Sequence, residues 1–355
     1  MRILLTADPE IPVPPPLYGG VQRLVDTLIS LLQAKGHPVG LIAHPDSTST
    51  ADRFFPFPGT ASQRRWDTLR NIAAMGAAVQ AFQPDVVHSF SRLVYMLPFL
   101  TRSLPKVMTY ERQPTPRAVQ WAARLGGDSL VFAGCSHHIS RAGQAAGGTW
   151  RTVYNFVELE TYTFQPAVAP DAPLVFLSRL ERIKGVHTAI AAARRAGRRL
   201  LIAGNRVHSD EGEVYWQTEI APYLGREGIE YVGPVNDAQK NELLGQAVAM
   251  IVPIEWEEPF GIVFTEALAC GTPVIACPRG AVPEIVRPGV DGFWVNSVED
   301  AVLAIAALPT LNRHACRQRV EEQFSAAAIV NQYEQLYQSL IMRNSSPLMG
   351  RQVVA

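Results

Sequence analysis

The 355-residue chain carries 32 lysines and arginines against 32 aspartates and glutamates, and 47% of its residues are hydrophobic. That length suits two α/β domains, each able to bury a core of its own. A net charge of zero excludes partners selected by an overall field, nucleic acid among them.

In chain order, Arg2 to Ala7 predicts a first core strand. Its apolar run is too short for a signal peptide, and acids and prolines follow it. A proline-rich loop then reaches Gly19 and Gly20, and Val21 to Ala34 has the apolar period of a helix. Val39 to Ala43 predicts a second strand, so the first forty residues read as a right-handed βαβ unit with parallel strands. Residues 65–82 predict a helix, Asp85 to His88 a strand, Val107 to Tyr110 a strand, Arg117 to Leu125 a helix and Ser129 to Ala133 a strand. Residues 165–173, with three prolines, read as an interdomain linker.

Beyond it, strands are predicted at Leu174 to Ser178, Arg199 to Gly204, Tyr231-Val232, Val248 to Pro253 and Pro273 to Ala276, alternating with helices. The expected divisions are a domain over 1–165, a second over 173–322, a final helix over 323–342 and a flexible tail over 343–355. No run approaches the about 18 apolar residues of a membrane span. Residues 1–165 hold 15 basic and 11 acidic residues, the remainder 17 and 21. The small basic excess is compatible with an anionic acceptor or peripheral membrane association, and equally with a solvated face. Cys135, Cys270, Cys277 and Cys316 show neither CxxC nor zinc spacing, which points to a reducing cytoplasm and no metal.

The chemistry concentrates in Ile254 to Gly292, IEWEEPFGIVFTEALACGTPVIACPRGAVPEIVRPGVDG. Pro259 biases Glu258 out of the α region, so Glu258 belongs to a loop, and Phe260-Gly261 leads into a helix from Ile262 to Ala269. The first-turn amides and dipole of that helix favour an anion. Glu258 in the loop and Glu266 one turn inside flank the same helix mouth as hydroxyl acceptors, or else as solvated or capping residues of a buried helix. Arg179 and Lys184, in a strand-exit loop, form a pair of cations suited to a pyrophosphate, or a solvated charged loop. Gly19-Gly20 allows close approach of a ligand to the backbone, or forms a tight turn.

Glu258, seven residues, Glu266, then EALACGTPVIA, GAVPEIV and DGFWV, together with SRLERIKG at 178–185, resemble the signature of the retaining nucleotide-sugar glycosyltransferases called family 4. The resemblance covers almost the whole chain and is densest from Leu174 to Val298. It implies a GT-B fold: two Rossmann-like domains facing across a cleft, parallel sheets with helices on both faces, and a final helix crossing back onto the N-terminal, acceptor-side domain. It further implies a hexosyl transfer from a nucleoside diphosphate sugar, UDP-glucose favoured by family frequency, to an acceptor hydroxyl with retention and without a metal cofactor. Arg179 and Lys184 would hold the diphosphate, Glu266 the ribose and Glu258 the donor sugar. Gly19, Gly20 and the amides of Phe260, Gly261 and Ile262 would meet phosphate and sugar oxygens, and Val232-Gly233 would pass the nucleobase.

His88 and Asn155 also match family positions. Where many relatives have a histidine facing the donor sugar, this chain reads VMTYERQP and puts Glu111 there, with Arg112 beside it as a possible substitute donor. A carboxylate donates a hydrogen bond only when protonated. A non-hydrolysing nucleotide-sugar epimerase and a non-catalytic nucleotide-sugar binding protein are the alternative readings. The absence of GxGxxG in the first βα turn disfavours a nicotinamide dehydrogenase.

Overall fold

Seven parallel strands form the first sheet of the computed structural model, which describes residues 1–16 and 19–345. They are β1 (Ile3–Thr6), β2 (Val39–Ala43), β3 (Arg53–Pro56), β4 (Val86–Ser89), β5 (Lys106–Tyr110), β6 (Leu130–Gly134) and β7 (Thr149–Thr152). Their spatial order is β3-β2-β1-β4-β5-β6-β7. Strands β1, β2, β4 and β6 are buried along their whole length; β1, β2 and β6 accordingly read as largely apolar runs without alternation, whereas β4 buries His88 and Ser89 beside its two valines. β1 pairs on both sides, with Ile3 opposite Val39 of β2 and Val86 of β4. The helix Gly20–Ala34 turns Leu24, Val25, Leu28, Ile29 and Leu32 inward, as its period predicts. Helices Arg65–Phe82 and Pro116–Gly126 contribute Met75, Val79, Phe82, Val119 and Ala122 to a cluster with Phe57, Phe99, Phe132 and Trp150.

The second sheet has six parallel strands, β8 (Leu174–Leu177), β9 (Leu200–Ala203), β10 (Ile229–Gly233), β11 (Ala249–Val252), β12 (Val274–Ala276) and β13 (Gly292–Trp294), in the order β10-β9-β8-β11-β12-β13. Both sheets are flanked by helices. Each sheet has the doubly wound order in which the strand sequence reverses beside its first strand. Met1–Asn155, with the chain from Ile329 on, forms one unit, and Phe156–Ala328 the other. The segment 165–173 lies within the second unit. The last helix runs Ala326–Ser345, so Arg343, Asn344 and Ser345 continue it where a tail was expected; the rest of that tail, 346–355, lies outside the described residues. Among the described residues, no helix is long and apolar enough to cross a membrane.

His88, expected as a site residue, is instead sealed in the core of the first unit at 0% exposure. Its Nδ1 lies 2.5 Å from the Tyr337 hydroxyl and its Nε2 2.6 Å from Thr109 Oγ1. Phe90 and Tyr333 cover its ring, with centroids 4.2 and 4.8 Å away. Burial depresses its pKa to about 3. The native state therefore holds His88 neutral, while the unfolded chain protonates it near its ordinary value, 6.5. Its contribution is complete above about pH 6.5 and is lost as pH falls toward 3, by about 1.4 kcal/mol per unit. Urea melts at pH 7, 5 and 4 should show a pH slope for the wild type that is steeper than that of His88→Gln by about this amount. Parallel slopes would mean that the ring ionises without penalty.

Candidate active site

In the second unit the strand order reverses between β8 and β11, and the loops leaving these two strands carry most of the expected residues. The β8 exit loop ends in a single turn, Arg182–Lys184, and a left-handed Gly185 at φ 77°. Lys184 is buried, unlike the exposed cation its loop suggested. Its Nζ lies 2.6 Å from Glu258 Oε2 and 4.6 Å from the centre of the Trp256 ring, and Trp256 Nε1 donates to the same oxygen at 2.9 Å. Arg179 stands apart from this cluster, with its side chain 46% exposed and paired to Glu181 at 2.7 Å. The two loops are tied by the Glu255 amide, which donates to the Ile183 carbonyl at 2.7 Å.

Gly261 opens the helix Ile262–Ala269 in the left-handed region, at φ 87°, and a Cβ there would stand 2.5 Å from the Phe264 ring. Phe260 is buried and packs edge-on against Phe324, so only its backbone is left to meet a ligand. In the first turn the Phe264 amide donates to the Gly261 carbonyl at 2.9 Å, and the positive end of the helix dipole still favours an anion ahead of it. Glu266 does not share Glu258's partners. Its Oε1 accepts from the Tyr162 hydroxyl and from Lys240 Nζ, both at 2.6 Å. Burial, then Glu266, pushes the Tyr162 phenol far up, which keeps its proton on as a donor. Each glutamate thus has a lysine of its own. Val232, exposed, and Gly233, whose carbonyl accepts from the Gly204 amide at 3.0 Å, stand at the end of β10, two strands from the reversal.

The first unit has a cavity of about 450 Å³ at the carboxyl ends of β1, β4 and β5. Asp8, Gln22, Arg92, Glu111 and Arg112 supply its polar wall. Gly19 and Gly20 lead into it, Gly20 beginning the helix whose Val21 and Gln22 line the cavity. Glu111 and Asn155 are brought together, the Asn155 amide donating to Glu111 Oε2 at 2.7 Å. The other oxygen, Oε1, is shut from solvent and has no hydrogen-bond partner. Burial raises the Glu111 pKa to about 7 against the opposing hydrogen bonds of Asn155 and Cys135. Burial also raises Asp8, although Arg112 and Arg92 pull it down.

Sequence reasoning missed Tyr162, Lys240, Trp256, Asp8 and Arg92. Trp256 and Asp8 lie in loops already singled out, and their side-chain types were the available signal. Tyr162 and Lys240 lie 104 and 26 residues from Glu266, and nothing local marks them. Among the described residues, no three His, Cys, Asp or Glu side chains are grouped to hold a metal ion.

A family model described as Glycosyl transferases group 1 matches residues 163–323, and one described as Glycosyltransferase Family 4 matches residues 18–161. An alpha-maltose-1-phosphate synthase of Mycobacterium tuberculosis is 32% identical, over 92% of this chain and 97% of its own. Among solved structures, a sucrose-phosphate synthase from Thermosynechococcus elongatus superposes with a TM-score of 0.78 at 22% identity, covering 96% of this chain and 99% of its own. HepE from Anabaena, in complex with UDP-glucose, superposes with a TM-score of 0.73 at 18% identity, covering 96% of this chain and all (100%) of its own. At these identities the two structures speak for the fold alone.

Proposed function

The chain belongs to the glycosyltransferases of group 1 and family 4, and from that membership we propose that it moves a hexosyl group from a nucleoside diphosphate sugar to an acceptor hydroxyl with retention of configuration. The observation that carries the donor side is the Lys184–Glu258 pair, which joins the exit loops of β8 and β11 at the strand-order reversal, with Arg179 on the first of these loops and the helix Ile262–Ala269 following the second. Two cations and a helix end suit a diphosphate, and carboxylates beside them suit hydroxyls. In the proposed step the bond from the anomeric carbon to the diphosphate oxygen breaks. The acceptor oxygen bonds to that carbon on the same face, and its proton passes to the departing phosphate oxygen. Arg179 and Lys184 stabilise the leaving charge without a metal ion. The UDP-glucose complex of HepE supports UDP-glucose as the first donor to try.

The test is a thermal-shift panel of nucleoside diphosphates and their sugars. A ligand at a hundred times its Kd adds about 2.7 kcal/mol. UDP and UDP-glucose are expected to give the largest shifts, and a panel without any shift would count against the reading. Product anomers read by NMR decide retention.

Glu258 and Glu266 should separate in the same assays. Glu266→Gln removes the charge that holds Tyr162 and Lys240 beside the proposed ribose site, so affinity for free diphosphate should fall at least about tenfold. Glu258→Gln should leave diphosphate affinity nearly unchanged and reduce transfer by at least about tenfold. If calorimetry and rates show both variants behaving as wild type, the glutamates are structural.

A further inference from the structure

We infer that the outer helix layer of the first unit is a docking surface for an anionic lipid bilayer, on which the chain rests without spanning it. The layer consists of helices Arg65–Phe82 and Pro116–Gly126 and the short helical segment Leu93–Phe99 between them in sequence. All three bury their inner sides in one cluster, where Met75, Val79, Phe99, Val119 and Ala122 meet, so all three cover the same face of the first sheet. Their outer sides therefore look the same way. Among the described residues of the first unit, the exposed large hydrophobic side chains are Trp66, Leu69, Leu97, Trp121, Leu125 and Met342, and every one but Met342 belongs to this layer. Trp66 is 77% exposed and Trp121 68%. Two open indoles and three leucines gathered on one layer mark a surface that something outside the chain completes.

The cations say what completes it. Residues three and four apart share a helix face, so Leu69 and Arg70 stand beside Trp66, and Arg117, Arg124 and Leu125 beside Trp121. The three arginines are exposed, and among the described residues none of them forms an ion pair. Pro116–Gly126 contains no acid, and the one acid of Arg65–Phe82, Asp67, accepts from the Ala61 amide at 3.3 Å. Asp128, just past the second helix, is held by Arg343 at 2.9 Å. An indole with leucine and guanidinium groups alongside seats its ring at the boundary of the acyl chains while the arginines stay among the phosphates. A neutral sugar polymer would use the rings and leave the arginines idle, and a protein partner would have to cover unpaired charges at the centre of its contact. The chain's net charge is zero, so it is this layer, and not an overall field, that a negative leaflet attracts. The inference does not depend on the transferase reading.

Vesicle flotation with the full chain tests it. The wild type should bind vesicles of phosphatidylcholine mixed with phosphatidylglycerol, ignore vesicles of phosphatidylcholine alone, and be released by about 1 M salt, where the Debye length is about 3 Å. Replacing Arg70, Arg117 and Arg124 together by Gln should weaken binding to the anionic vesicles about a hundredfold, about fivefold for each charge. Trp66→Gln with Trp121→Gln should weaken it at least about tenfold and remove most of the fluorescence quenching by brominated lipid. Met342→Gln, exposed in the same unit but off the layer, should bind as the wild type does. Every replaced side chain is exposed, so melting temperatures should match the wild type and the losses cannot be ascribed to unfolding. Equal binding to neutral and anionic vesicles, or unchanged binding in both multiple variants, would overturn the inference. So would a chain that binds neither vesicle: retention on dextran that needs the two tryptophans would make the layer a sugar-stacking surface. A dimer in sedimentation velocity that the tryptophan substitutions dissociate would, in the same case, make it a contact between copies.

Discussion

Arg179→Ala should lower kcat/KM by about 10²- to 10³-fold with little change in melting temperature. Removing one preplaced group that stabilises developing charge typically costs about 2.7–4 kcal/mol in the transition state. The same side chain is 46% exposed and paired with Glu181 in screening solvent, where an ion pair contributes at most about 1 kcal/mol to folding. Lys184→Ala should behave differently, because the Lys184 and Glu258 side chains are only 9% and 14% exposed. Removing the lysine leaves a nearly buried carboxylate without its cation, which destabilises by about 3–5 kcal/mol, and transfer should also be lost. The Lys184→Ala/Glu258→Gln double variant should regain most of the stability and none of the transfer. Wild-type rates in a folded Arg179→Ala protein would remove that residue from the mechanism. Transfer recovered in the double variant would do the same for the Lys184 charge.

Gly185→Ala should unfold the second unit more readily by at least about 3 kcal/mol, a fall of roughly 6–12 °C for a domain of this size. The added Cβ would stand 2.1 Å from the Pro253 carbonyl oxygen, and φ is 77°. A backbone atom of the neighbouring exit loop cannot turn aside as a side chain would. The displacement would break the Glu255–Ile183 link and move the loop bearing Glu258, so activity should fall beyond what the lost stability explains. Gly197→Ala is the matched control: φ is 62° there, but a Cβ would meet nothing within 4 Å. Only the left-handed strain of about 1 kcal/mol should remain. Equal melting temperatures for the two variants would show that the exit loops tolerate separation.

The interior of each sheet was legible because a strand buried on both faces is largely apolar, and VGLIA, LVFL and VIA announce themselves. The strands that the sequence did not disclose are β3, β7 and β13, and each lies at the edge of its sheet. Edge strands need no continuous apolar run, and the flanking residues of β3, Arg53 and Pro56, are exposed. The residues proposed for the donor side could be nominated for a related reason, since Arg179, Lys184, Glu258 and Gly261 lie in two short loops with punctuated backbones. Their partners were not. Nothing in SRLERIKG marks Lys184 as buried, and only the fold reveals that it lies against Glu258 and Trp256. His88 was a candidate only through its match to a family position, and the last helix claims it.

That claim sets an order of events during synthesis. His88 and Tyr337 are 249 residues apart, and the whole of the second unit is translated between them. A nascent chain can complete the β8–β13 sheet while the first sheet still lacks the aromatic cover over β4, which arrives only with the last turns of the polypeptide. The first unit is therefore finished after the second. An isolated fragment ending at Asn155 would leave His88 and Phe90 uncovered where Tyr333 and Tyr337 belong. A separately folded first unit has to be made from two stretches of the chain, with the last helix joined to residues 1–155.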